Sequence, residues 1–182
     1  FAASEDIIDM NKRGSLTVYK YDLTAAEEDG VDTSEKIFAN NGKEDEKAKE
    51  KFKNYAIPGV EFTYLHLGDI HTEYKNGKIQ ILYDIPKNLE RILGMENQRA
   101  NHMYTSTELN NALKTLLSQQ VEGRNQLERY VYNVDEKKAM PLTNEKGKAS
   151  AKELPLGLYL IVETKVPANV HTTVEPFWYH FL

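Results

Sequence analysis

The sequence predicts a mainly β protein, a β-sandwich that carries helical and loop insertions. Three observations predict it. Runs rich in β-branched and aromatic residues recur at 15–22, 60–67, 157–164 and 172–181. Turn signals punctuate the chain at Pro58-Gly59, Asn76-Gly77 and 144–147. The clearest helical pattern, at 105–118, lies between strand patterns, which fits an insertion better than a bundle.

Residues 1–13 are expected to form a flexible leader, and 14–182 a single domain, truncated before its last strand. Gly14 opens the first strand, in which Leu16, Val18 and Lys20 share one face and Thr17, Tyr19 and Tyr21 the other. The charged stretch 25–53 reads as a surface insertion with a short solvated helix at 44–53. After Pro58-Gly59, the residues Val60, Phe62, Tyr64 and His66 alternate with Glu61, Thr63 and Leu65. Asn76-Gly77 predicts a tight hairpin joining 70–75 to 78–83. Lys87 is expected to start a short helix through Leu93.

Thr105 and Glu108 match a capping box, and Leu109, Ala112, Leu113, Leu116 and Leu117 follow at helical spacing. The stretch 129–134 is expected to be a strand, and Leu142 to begin another. The stretch 157–164 is the most apolar strand of the chain, and 172–181 is a last, aromatic strand interrupted by Pro176.

Composition narrows the function. A formal net charge of -5 argues against nucleic acid as a partner, because phosphate contacts need clustered Lys and Arg. The absence of cysteine excludes disulfides and thiolate metal sites. No apolar run approaches the length of a membrane span. No Gly-rich phosphate loop or G-x-S-x-G elbow is present. His66 and His71, with Asp69 and Glu73 nearby, have a spacing that suits neither a strand face nor a helical turn, so no metal and no cofactor are expected.

Two charges stand where strand phase calls for apolar side chains. Lys20 extends the Leu16–Val18 face, and Glu163 extends the Tyr159–Ile161 face. Burial favours the neutral form of an amine and the protonated form of a carboxyl. A neutral amine beside a protonated acid can attack a side-chain amide, with the acid hydrogen-bonding the carbonyl and relaying protons. The alternative is an ordinary ion pair, or two charges that reach solvent from strand ends.

The run 156–167, Leu-Gly-Leu-Tyr-Leu-Ile-Val-Glu-Thr-Lys-Val-Pro, resembles the E-box of Gram-positive pilins, of the form Y-x-L-x-E-T-x-A-P. Tyr159, Glu163, Thr164 and Pro167 match it, while Ile161 and Val166 are conservative replacements. Asn169-Val170 stand where the family usually has Gly-Tyr. The stretch 15–22 resembles the first strand of the same domains, where the lysine forms an intramolecular isopeptide bond. Gly59-Val60-Glu61-Phe62 resembles the opening of their second strand, and 142–149 their approach to the E-box.

The resemblance implies a collagen-adhesin B-type (CnaB) sandwich of immunoglobulin-like kind. It implies the N-terminal domain of a sortase-assembled major pilin, a non-enzymatic structural subunit of a cell-wall-anchored pilus on the outside of a Gram-positive bacterium. Neighbouring pilin subunits would be its partners, with sortase acting on the full-length protein. An adhesin built from the same module, binding host matrix proteins, is the alternative. A hydrolase using Glu163 with a second carboxylate is a further class, and requires Glu163 in an open cleft.

The candidate isopeptide site is Lys20 and Glu163, with its third residue expected outside the chain. Beyond the E-box the only side chains to consider are Asn169, in a turn, and Glu175, which is not an amide. Ile85-Pro86-Lys87-Asn88 looks like the pilin motif that supplies the polymerising lysine, but it comes far too early in the chain to serve as one.

Overall fold

The computed structural model describes residues 9, 11–33, 46–119, 121–171 and 173–181. Along the chain run β1 (Arg13–Tyr19), α1 (Leu23–Glu28), α2 (Glu46–Phe52) with a 3-10 turn at Lys53–Tyr55, β2 (Glu61–Gly68), β3 (Ile70–Lys75) and β4 (Lys78–Asp84). Then come α3 (Lys87–Ile92), β5 (Met103–Tyr104), α4 (Ser106–Ser118), α5 (Val121–Asn133), β6 (Lys138–Ala139), β7 (Lys148–Pro155), β8 (Gly157–Lys165) and β9 (Phe177–Phe181). Most of the expected leader and the middle of the charged insertion lie outside the described residues.

The strands form a four-stranded sheet in the order β6-β2-β8-β9, a two-stranded sheet β1-β7 and a three-stranded sheet β3-β4-β5. All pairings are antiparallel. The fold is a mainly β, immunoglobulin-like sandwich with helical insertions, as the sequence predicts.

The four-stranded sheet is the middle layer, and β8 explains why. Residues Gly157 to Val162 are all buried, so both faces of the strand are covered. Tyr159 and Ile161 point to one side, where they join Leu16 and Val18 of β1, Phe62 of β2 and Tyr179 of β9 in one apolar core. Leu158, Leu160 and Val162 point to the other, where they meet Leu109, Leu113 and Leu116 of α4, Leu127 and Val131 of α5, and Trp178. A strand fed by two cores must be apolar at successive positions, which is the pattern read in 157–164.

The α4 helix starts as its capping box requires. Thr105 accepts from the Glu108 amide, and the Glu108 side chain accepts from the Thr105 amide. The β3–β4 hairpin turns through Asn76 and Gly77, with φ of 54° and 76°. Both central residues of such a two-residue loop take positive φ, which Asn and Gly accept most easily. Asn144 closes the turn before β7 by bonding the Lys148 carbonyl and accepting from the Lys146 and Lys148 amides.

Three expectations are corrected. The last strand does not begin near 172 but is confined to Phe177–Phe181, after Pro176, which has no N–H to give a ladder. Residues 129–134 are not a strand but belong largely to α5. The Tyr-Val-Tyr run favours strand locally, but Gly123, Leu127 and Val131 recur every four residues and are buried together, so tertiary packing selects the helix. Leu142 starts no strand and is 54% exposed. Its neighbour Thr143 instead ties the segment to the entry of β2, accepting from the Val60 amide and donating to the Ile57 carbonyl.

The α2 helix occurs where the charged insertion predicts one, but it is not merely solvated. Ala48 and Phe52 are buried in a third, small core with Tyr21 and Ala26. The α3 helix runs from Lys87 as expected, with Pro86 at its N-cap.

Candidate functional site

Lys20 follows the last residue of β1 and keeps the phase of Leu16 and Val18, so its side chain enters the core between the sheets. Its backbone is held on both sides. The Lys20 amide donates to the Gly147 carbonyl at 2.8 Å, and the Ile57 amide donates to the Lys20 carbonyl at 3.0 Å. Gly147 has φ 73°, and a Cβ added there would lie 2.5 Å from the Lys20 oxygen, so the close approach requires glycine.

Glu163 lies on β8 opposite Phe62 of β2, in phase with Tyr159 and Ile161. The structure brings the two charges together: Lys20 Nζ is 3.0 Å from Glu163 Oε2, with the side chains 2% and 5% exposed. The other carboxylate oxygen, Oε1, accepts from the Val174 amide at 3.4 Å. Burial on this scale costs each charge its hydration, and the opposite charge offsets part of that cost. Glu163 is therefore buried and not set in the open cleft that a hydrolytic carboxylate requires.

The residues around Glu163 on and after β8 are placed as follows. Tyr159 is buried, donates its hydroxyl to the Pro155 carbonyl at 2.6 Å and stacks on His66 at 4.7 Å between ring centroids. Burial is the main reason its phenol is pushed above the ordinary range. Ile161 fills the core beneath Glu163. Thr164 faces the opposite side, sharing a hydroxyl contact of 2.9 Å with Thr63 and donating to Glu61 Oε1 at 2.7 Å. Pro167 accepts from the Val170 amide and so closes the turn that follows β8.

The two candidates for a third reactive group lie elsewhere. Asn169 is exposed in that turn, and Glu175 pairs with Arg124 of α5 at 2.6 Å on the surface.

His66 and His71 pair with different aspartates. His66 Nε2 is 3.8 Å from Asp69 Oδ1, whereas His71 Nε2 is 3.5 Å from Asp84 Oδ1. No cluster able to hold a metal ion occurs among the described residues. No described helix is long and apolar enough to cross a membrane.

Sequence reading misses a second buried carboxylate, Glu90 of α3, which is 2% exposed. The His102 Nδ1–H donates to it, 3.0 Å from both oxygens, and the Tyr104 hydroxyl donates to Oε2 at 2.6 Å. Burial alone would raise the carboxyl. The hydrogen bonds from Tyr104 and His102 and the charges of His102 and Lys87 outweigh it, holding Glu90 below the usual carboxylate range. Separations of 12 and 14 residues follow neither helix nor strand period, so no sequence pattern signals this network. The only hint is the position of Glu90 between the apolar Leu89 and Leu93 in a short helix.

With this geometry in view, a family model described as SpaA, prealbumin-like fold domain, matches residues 103–179. The matched stretch runs from β5 into β9 and contains Glu163, while Lys20 precedes it. No curated protein matches the chain. Among solved structures, it is similar to the full-length major pilin SpaD from Corynebacterium diphtheriae, with 20% identity and a TM-score of 0.47 over 96% of this chain and 28% of that one. It is also similar to the full-length RrgB pilus protein from Streptococcus pneumoniae, with 12% identity and a TM-score of 0.27 over 69% of this chain and 22% of that one. The chain thus spans about a quarter of the length of these structures.

Proposed function

We propose that the chain is a non-enzymatic domain of a pilus shaft subunit, exposed on a Gram-positive cell surface and polymerised by sortase in the full-length protein. The observation that carries this reading is the buried contact between Lys20 and Glu163, set in a strand whose sequence resembles the pilin E-box. The SpaA family match over 103–179 supports it, since it covers that same strand. The domain is taken to be 14–182.

In this reading Lys20 and Glu163 are two-thirds of an isopeptide site. The Lys20 amine would attack the side-chain carbonyl of an asparagine, forming the amide and releasing ammonia, with Glu163 relaying the protons. Fixed geometry replaces a cofactor. The third residue is expected outside this chain, and the exposed positions of Asn169 and Glu175 support that reading.

Incubating the full-length protein with a pilus-class sortase tests the function. A ladder of covalent multimers that survives denaturing electrophoresis is expected. A protein that stays monomeric with active sortase overturns the shaft reading and favours the adhesin alternative. Intact mass of the full-length protein tests the site separately: a mass short by one ammonia, restored by Lys20→Ala, is expected.

A further inference from the structure

The β3–β4 hairpin is unlike the other strand pairs. Residues 72–78 are all exposed, so both faces of its outer half are in water. Tyr74 is 73% exposed. β3 is the edge of its sheet, pairing only with β4 among the described residues. Protein edges are usually blunted by charged side chains, proline, a bulge or a covering element, and of these β3 carries only charges, Glu73 and Lys75. Here six consecutive pairs run from Ile70↔Tyr83 to Lys75↔Lys78 with no shift of register, and β3 contains no proline.

The register decides which groups the edge offers. Lys75 and Lys78 flank a two-residue loop, so their peptide groups bond each other. Orientation alternates along an antiparallel strand, so the N–H and C=O of Thr72 and Tyr74 face away from β4, toward the open side. The side chains alternate as well. Glu73 and Lys75 share one face, and Thr72 and Tyr74 share the other.

The run Glu73-Tyr74-Lys75 is self-complementary in charge. If two copies pair antiparallel about Tyr74, each Glu73 falls opposite the other copy's Lys75, and the tyrosines meet on the reverse face. Cross-strand neighbours of opposite charge attract, while like charges directly opposite repel. Lys75 already faces Lys78 within its own hairpin, a repulsion that a second copy's Glu73 would relieve. Among the described residues, no ion pair within the chain engages Glu73 or Lys75.

We infer that the β3 edge is a self-pairing site, at which two copies of this chain join edge to edge about a two-fold axis centred on Tyr74. The contact is isologous and small, and so weak and reversible. The pairing itself does not depend on the pilus reading. A consequence does: on a shaft the edge recurs at every subunit, so parallel fibres would be held side by side by many weak contacts acting together.

Amide NMR of this chain over a concentration series into the millimolar range tests the pairing without reference to pili. Concentration-dependent shifts centred on Thr72, Tyr74 and Asn76 are expected. Glu73→Lys puts lysine opposite lysine at two places and should weaken association about tenfold. Lys75→Glu should do the same with glutamates, while an equimolar mixture of the two variants, or the double exchange E73K/K75E in one chain, should restore it. Shifts that do not change with concentration overturn the proposal. So does an association that E73K leaves unchanged, or one that the double exchange fails to restore.

Discussion

Lys20 and Glu163 are 143 positions apart in the chain, yet their charged atoms lie 3.0 Å apart inside the sandwich. Two rules produce that contact. Strand phase sends every second residue of β1 and β8 into the same core, and a buried charge needs a partner. The pair sits where Leu16 and Val18 on one strand and Tyr159 and Ile161 on the other would call for two more apolar residues.

Removing one partner should be costly. Glu163→Ala leaves Lys20 buried without its carboxylate, and a loss of about 3–5 kcal/mol is expected. The double replacement Lys20→Met with Glu163→Leu should recover most of it, because apolar side chains of similar volume suit the site. Urea denaturation of this chain and both variants gives the comparison. An E163A midpoint equal to that of the parent would mean that the pair is not buried.

Stability should fall in acid through Glu90. Its folded-state value lies below its unfolded one, so its contribution is complete above the ordinary carboxylate value and is lost as pH falls through the depressed folded value. Melting temperature should therefore drop in acid, below the usual carboxylate range. In Glu90→Gln that drop should be shallower and the neutral-pH stability lower, as an amide replaces an acceptor held by His102 and Tyr104. Parallel melting curves at every pH would contradict this.

Gly123 should not tolerate alanine. Within a helix that change normally gains about 1 kcal/mol. A Cβ at Gly123, however, would lie 2.2 Å from the Leu116 carbonyl oxygen, a backbone atom that cannot swing aside. Overpacking of this kind costs about 1–3 kcal/mol, so the expected net effect is destabilising. Thermal denaturation monitored by circular dichroism reads the sign.

Trp178 fastens the sheet to α4, its Nε1–H donating to the Leu109 carbonyl at 2.9 Å. Trp178→Phe keeps the aromatic contact but leaves that buried oxygen with one partner fewer, and a loss of about 0.5–1.5 kcal/mol is expected. Hydrogen exchange should show the effect concentrated in α4. A uniform change across the molecule would contradict a local tie.

By itself the sequence determined what depends on neighbours in the chain. The alternation along β1, β2 and β8, the Asn76-Gly77 hairpin, the Thr105–Glu108 cap and the phase of Lys20 and Glu163 are all short-range, because period and turn chemistry act over a few residues. Only the tertiary structure decided what depends on distant partners. The run at 129–134 has strand propensity, but Leu127 and Val131 bury more apolar surface against α4 and α3 as a helix than an isolated strand could. The Glu90 network is assembled from a helix, a loop and a two-residue strand, with no common period to reveal it. The contact between Lys20 and Glu163 is also tertiary: each residue declares its own face, but only the stacking of two sheets brings those faces together in one core.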